Sequence, residues 1–253
     1  MFRIESFCEA DDKTIQKAYK FISSTTFNNG ISFLDYDDNY FEDFTWLYFL
    51  YENNSLVSVL SIFLPDSASC ELYFHVCDCK KHKSRDYFSF MYTYVCEELN
   101  KFEINNRYLL WNSGEITNFE TFAIENIKYN HSECLMKFDL DYSISLNNIR
   151  SSHIISETEN GLLIKSFYKG QNIGVCNVEL SGDYALIYGV EINSSMRGLG
   201  FGRETLLTTL NFLKENHYTD ILLHVNSANT AAYALYSHHG FNIIQKIDYW
   251  KLI

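Results

Sequence analysis

Hydrophobic positions along this chain come in short runs, some with a period of two and some with a helical period. Phe2–Phe7 reads as a strand, and the spacing from Asp12 to Ser23 predicts a helix capped by Asp11 or Asp12. Residues 35–44 form an acidic, aromatic stretch expected to be a second helix. Two apolar runs, 46–52 and 56–64, flank Asn53-Asn54, a hairpin signal. A strand at 71–77, a helix at 87–100, a strand at 108–111, a helix at 117–125 and a strand near 135–140 follow. The second half opens on two strands, 161–168 and 172–180, joined by a Lys169-Gly170-Gln171 turn. Beyond them come a strand at 185–192 and a helix at 202–216 with Leu206, Leu207, Leu210 and Leu213 on one face. A strand at 221–225, a helix at 230–238 and a strand-like run at 243–252 end the chain. Strands alternating with helices place the protein in the α/β class, with the mixed sheet of an α+β fold.

The order of elements repeats. Sliding one half over the other by 114 positions sets Val76 on Val190, Lys83 on Arg197, Phe119 on Tyr233 and Phe122 on Tyr236. Asn112-Ser113 falls on Asn226-Ser227, so the match lies in pattern and element order more than in identity. It predicts two packed copies, residues 1–141 and 142–253. The copies are unequal: Asp86 and Phe88 stand where the second has Gly200 and Gly202. Asn126-Ile127 stands where the second has Gly240-Phe241.

Composition narrows the class. Of 253 residues, 47% are hydrophobic, which supplies a packed core, and the single Pro argues against a Pro-rich linker. A net charge of −12 leaves no basic stripe for nucleic acid and favours a cationic partner. Seven cysteines without regular spacing fit reduced thiols. The acidic start lacks a signal peptide's apolar core, and no apolar run approaches the ~20 residues that span a bilayer, so a cytoplasmic protein is expected. His75, Cys77, Cys79 and His82 lie close together, but Cys-x-Cys departs from zinc-ligand spacing. They read as strand residues, and no metal is expected.

The segment from Val190 to Arg203 carries the chemistry. A strand ends near Ile192, a polar turn follows, and Gly198, Gly200 and Gly202 open a helix. Glycines let several N–H groups converge at a helix N-terminus, where an anion is favoured, and Arg197 and Arg203 add positive charge. Such a turn alone also fits a plain strand-to-helix connection. It lacks the Lys-Ser/Thr ending of a P-loop and the later acidic residue of a dinucleotide fold. A second segment adds specificity: Asn229, Ala232, Leu235, Tyr236, Gly240 and Phe241 stand at N-x-x-A-x-x-L-Y-x-x-x-G-F spacing.

Together, Arg197-x-x-Gly200-x-Gly202 and the Asn229–Phe241 pattern resemble the GNAT superfamily of acyl-CoA-dependent N-acetyltransferases, over roughly residues 160–253. The first half resembles a degenerate copy, as in tandem GNAT chains. The resemblance implies a tandem GNAT fold that uses acetyl-CoA as co-substrate. Val190 and Ile192 would hold the pantetheine arm, and amides of Gly198, Leu199, Gly200, Gly202 and Arg203 beside Arg197 would hold the pyrophosphate. Asn229 would cap its helix and touch the coenzyme, and Tyr236 would act as general acid. Glu191 is the candidate general base, with an outward-facing surface carboxylate as the alternative.

The expected reaction is direct transfer of acetyl from acetyl-CoA to the primary amine of an unidentified acceptor, with a cationic small molecule favoured. A non-catalytic acyl-CoA-binding or sensing module, with the first copy binding a partner, is the alternative. Monomer and homodimer both stay open. One departure from the family stands out. Only about 20 residues separate the first copy from the strand at 161, too few for the helices that wall an acceptor site. The first copy, through its acidic segment 35–43, is expected to supply part of that wall.

Overall fold

The computed structural model describes residues 2–8, 10–26, 45–113 and 126–253. By compactness the chain divides into two units, one of Met1–Ser132 with Ile247–Ile253 and the other of Glu133–Lys246. A division at 141/142 tracks the repeat along the chain, whereas compactness gives the closing segment, 247–253, to the first unit. The expected helices at 35–44 and 117–125, and the acidic segment 35–43, lie outside the described residues.

In the first unit, β1 (Phe2–Phe7) leads to helix α1 (Asp12–Ser23). Asp11 caps α1, its carboxylate accepting from the Thr14 N–H at 2.8 Å. Next come β2 (Thr45–Glu52), β3 (Ser55–Phe63), β4 (Ser69–Val76), helix α2 (Ser84–Lys101) and β5 (Asn106–Asn112). The β2–β3 turn places Asn53 and Asn54 at φ 50 and 66°, the left-handed pair a two-residue hairpin needs and Asn tolerates. The sheet runs β1-β2-β3-β4-β5 and then Ile247–Lys251, antiparallel except for the parallel pair β4–β5. Period-two alternation gives β2 and β3 two buried faces. Leu47, Phe49 and Val59 pack with Ala18 and Ile22 of α1. Tyr48, Leu50 and Leu60 pack with Phe88, Met91 and Val95 of α2.

The second unit holds the end of β6 (Ile127–Phe138), then β7 (Ser152–Thr158), β8 (Gly161–Tyr168), β9 (Gln171–Ser181) and β10 (Tyr184–Ile192). Helix α3 (Phe201–Glu215), β11 (Asp220–Asn226), helix α4 (Thr230–Ser237) and the start of β12 (Phe241–Leu252) complete it. Its strand order is β6-β11-β10-β9-β8-β7, with only β10–β11 parallel. Leu206, Leu207, Leu210 and Leu213 of α3 and Tyr236 of α4 cover one sheet face and bury Cys176, Val178, Ile187, Leu223 and Val225. On the opposite face Tyr188 and His224 are exposed and Leu186 and Leu222 are half-buried. Residues 139–160 contain β7 but no helix, so helices of this segment do not cover that face. Strand β7, Ser152–Thr158, is short and mostly polar or exposed, so hydrophobic patterning does not mark it.

Candidate active site

Two irregularities in the second unit make its cleft. The first is a bulge. Tyr188 of β10 faces Asn177 of β9, but the next pair is Glu191 with Val175, so β10 has one residue more than its partner. Gly189 sits there at φ 58°, where a Cβ would come within 2.8 Å of the Asn177 amide nitrogen. The second is a parting of parallel strands. The β10–β11 ladder ends at Ile187 and Leu223, although β10 continues to Ile192 and β11 to Asn226. Over that last stretch β11 stays paired with β6, and β10 rejoins β9 at Glu191 and Ile192. The backbone of β10 between Tyr188 and Ile192 thereby faces an opening.

That opening is a cleft of about 700 Å³ lined by Gly189, Val190, Glu191, Ile192, Asn229 and Tyr236, with Met196, Arg197, Gly198 and Gly202 at its loop end. From β11 it receives His224, Val225 and Asn226. Leu199, Gly200 and Arg203 belong to the same loop without forming this wall. A 3-10 turn, Ser194–Met196, ends β10, and Arg197 folds back so that its Nε–H donates to the Ile192 carbonyl at 2.8 Å. Gly198 and Gly200 follow at φ 73 and 88°. A Cβ at Gly198 would meet nothing within 4 Å, so its left-handed φ, and not crowding, calls for glycine. The first helical hydrogen bond of α3 runs from the Glu204 N–H to the Gly200 carbonyl, 3.1 Å. Among the described residues, no backbone carbonyl accepts from the amides between Gly198 and Arg203. They form a patch of unused donors at a helix N-terminus, suited to an anion.

At the other wall, Asn229 caps α4, its side-chain oxygen accepting from the Ala232 N–H at 3.2 Å. The cap fixes the first turn, and about two turns beyond Asn229 Tyr236 reaches the cleft. Its ring is 7% exposed and packs edge-on against Phe241, with centroids 5.9 Å apart. Burial, reinforced by the nearby Cys176 thiol, pushes its phenol up to about 12. Tyr236 therefore combines a buried ring with a hydroxyl that stays protonated across the physiological range. Glu191 is exposed on the cleft wall.

His224 and the bulge at Gly189 are site features the sequence reading missed. His224 stands on β11 between buried Leu223 and Val225, so alternation alone puts it on the face opposite Tyr236. Crowding by surrounding protein lowers its basicity, partly offset by Glu133 on the neighbouring strand. A histidine breaking an apolar strand was the available signal.

The first unit lacks this arrangement at the corresponding residues. Helix α2 begins at Ser84, the counterpart of Gly198, directly after a 3-10 turn at Asp78–Lys83, so the equivalent loop is wound into helix and the Ser84 N–H donates to the Lys81 carbonyl. Phe88, the counterpart of Gly202, is fully buried against Phe74 and stacked on Tyr92. Lys83, the counterpart of Arg197, is paired with Glu52 at 2.8 Å. Among the described residues no group of three or more His, Cys, Asp or Glu is placed to hold a metal, and none of the seven cysteines is in a disulfide. No helix of the described residues is long and apolar enough to cross a membrane.

Comparisons with known proteins bear on this geometry. The family model of the Acetyltransferase (GNAT) family matches residues 125–241, the stretch that contains the cleft. No curated protein matches the chain. Among solved structures, a GCN5-related N-acetyltransferase from Sphaerobacter thermophilus matches 99% of this chain and 95% of its own at a TM-score of 0.75 and 9% identity. A tandem GNAT protein from the clavulanic acid biosynthesis pathway matches 99% of this chain and 98% of its own, with a TM-score of 0.67 and 11% identity. A GNAT-family acetyltransferase from Colwellia psychrerythraea covers 99% and 100% at a TM-score of 0.62 and 15% identity. At such identities the likeness speaks for the fold, and the tandem arrangement expected from the repeat is part of it. With the family model on the segment that carries the cleft, residues 125–241 are similar to the GNAT acetyltransferases, a family of acetyl-CoA-dependent acyltransferases.

Proposed function

We propose that the second unit binds acetyl-CoA in the cleft between β10 and β11 and transfers its acetyl group to a primary amine. The observation that carries this reading is the parting of the two strands beside a loop of unused amides, with the Tyr236 phenol on the wall. The pantetheine arm would lie along residues 190–192 as an added strand, exchanging amide hydrogen bonds with backbone that β11 leaves free. The diphosphate would rest on the amides of Gly198–Arg203, beside Arg197. Asn229 would touch the coenzyme from its cap.

In the reaction, the neutral amine attacks the thioester carbonyl carbon, a C–N bond forms, and the carbonyl oxygen takes negative charge. Backbone N–H groups at the bulge would donate to that developing charge. Collapse breaks the C–S bond. The amine proton leaves to a base, the sulfur acquires a proton, and N-acetylamine and CoA thiol result. With its phenol near 12, Tyr236 is a weaker acid than an ordinary thiol, about 8.5. Complete transfer to the thiolate would be uphill. Tyr236 therefore serves by donating a strong hydrogen bond to the departing sulfur as charge builds, with the net proton supplied by the amine.

Glu191, exposed on the cleft wall, is the proposed base, taking the amine proton directly or through water. A second reading gives that role to His224, favoured by its place on the wall and by the crowding that keeps it neutral. The acceptor class proposed is a cationic amine, on the strength of the net charge of −12 and of Glu191 at the cleft.

The test is thiol release from acetyl-CoA against a panel of small amines, polyamines, aminoglycosides and lysine peptides. Release with at least one acceptor is expected. Tyr236→Phe should lower kcat by about a hundredfold while leaving acetyl-CoA affinity within roughly threefold. Full turnover by that variant would remove the donor role. Acetyl-CoA binding with no thiol release from any acceptor would favour a sensing module.

A further inference from the structure

Arg150 lies before β7, near the start of the second copy, and belongs to no motif. Its Nε–H donates to Glu204 Oε1 at 2.9 Å, and Nη2 lies 2.8 Å from the same oxygen. Its backbone N–H donates to Glu204 Oε2 at 3.0 Å, as do the N–H and hydroxyl of Ser151 at 2.9 and 2.6 Å. Glu204 is in the first turn of α3 and its side chain is 4% exposed. Burial alone would raise this carboxyl, yet the bonds from Ser151 and then Arg150 outweigh it and hold the group ionised.

Arg150 also reaches the loop. Nη2 donates to the Leu199 carbonyl, and the guanidinium lies 4.6 Å over the Phe201 ring. A Cβ at Gly200 would stand 3.4 Å from Nη2, so the cation is pressed against the glycine turn. In a planar trans peptide the carbonyl of Leu199 and the N–H of Gly200 point to opposite sides. Fixing that carbonyl toward Arg150 fixes the Gly200 N–H away from it. A second effect is electrostatic. An ionised carboxylate in the first turn of α3 competes with any other anion for the helix N-terminus, and Arg150 cancels its charge.

We infer that Arg150 is a positioning residue for the coenzyme: it orients the 199–200 peptide of the anion-binding loop and neutralises Glu204 beneath it, so that a diphosphate can be bound. This rests on the reading that the loop holds the diphosphate of acetyl-CoA. Arg150 acts from outside the cleft wall and makes its contribution through loop geometry and charge.

The experiment measures acetyl-CoA affinity by calorimetry and the ligand-free thermal midpoint for the full chain and three variants. Arg150→Ala should weaken acetyl-CoA by about tenfold or more, the scale of one lost charge-assisted hydrogen bond. Arg150→Lys keeps the charge and loses the fork, so it should fall between Ala and the unaltered chain. Glu204→Gln removes the competing charge, so it should lower the thermal midpoint but keep or improve acetyl-CoA affinity. Unchanged affinity in both Arg150 variants would overturn the inference. So would a loss in Glu204→Gln as large as in Arg150→Ala, because Arg150 would then act only by holding the fold together. If the unaltered chain fails to bind acetyl-CoA, the coenzyme reading itself falls and this inference with it. Should Arg150→Ala not fold, the Lys and Gln variants decide the matter.

Discussion

At the residue scale, one side chain joins core and cleft. Tyr236 is held in the apolar interior by Phe241 and its hydroxyl is kept protonated by that burial. Because the folded phenol titrates near 12, above the ordinary value of about 10, its protonated form contributes stability that is complete below pH 10 and lost as pH rises toward 12. Turnover should therefore show no alkaline loss assignable to Tyr236 below about pH 10, a prediction a kcat–pH profile checks. His224 behaves in the opposite sense. Its basicity is lowered by the crowding of surrounding protein, so the neutral imidazole persists as pH falls below the ordinary value, about 6.5. If His224 takes the amine proton, an acid limb in kcat/KM below about pH 6.5 should vanish in His224→Gln and persist in Glu191→Gln. A limb that survives in His224→Gln removes His224 from that role.

At the element scale, the ends and defects of strands and helices make the site, and their regular middles support it. The bulge in β10 depends on Gly189 at φ 58° beside Asn177. Gly189→Ala imposes a left-handed Cβ and crowds that amide, at a cost of about 1–2 kcal/mol from the conformation alone. A lowered thermal midpoint together with weaker acetyl-CoA binding is expected. The cap on α4 separates two roles of Asn229 in one pair of variants. Asn229→Ala should cost about 1 kcal/mol through the lost bond to the Ala232 N–H, and Asn229→Ser should restore most of it. If Asn229 also touches the coenzyme, both variants should raise the KM for acetyl-CoA, including the one whose stability is restored. The lowered carboxyl of Glu204 adds a further mark. Its stabilisation is present above the ordinary carboxylate range and is lost as pH falls through the depressed folded value, so acid should loosen the start of α3.

At the scale of the whole molecule, strand membership departs from sequence order. Residues 133–137 of β6 pair with β11, and Cys134, Met136 and Phe138 are buried in the second unit's core. The end of β12, Ile247–Lys251, pairs instead with β5 of the first unit. A fragment of residues 126–246 should therefore melt cooperatively and bind acetyl-CoA, whereas one of residues 142–253 lacks the β6 edge and should not fold. Circular dichroism melts and calorimetric titration of the two fragments check this, and the opposite result would support a division at 141/142.

The sequence alone determined what local physics decides. Asp11 and the Asp12–Ser23 spacing marked α1, Asn53-Asn54 marked the hairpin, and the contrast of Gly200 and Gly202 with Asp86 and Phe88 marked the half that keeps an open turn. These are signals within a few residues of one another, set by backbone sterics and periodicity. The paired motifs also pointed to the family. Only the tertiary structure decided which strands adjoin, where the β10–β11 ladder stops, and that His224 and Arg150 stand at or behind the cleft. Those facts depend on contacts between residues far apart in the chain, 54 positions in the case of Arg150 and Glu204, where no local rule of pattern or propensity reaches.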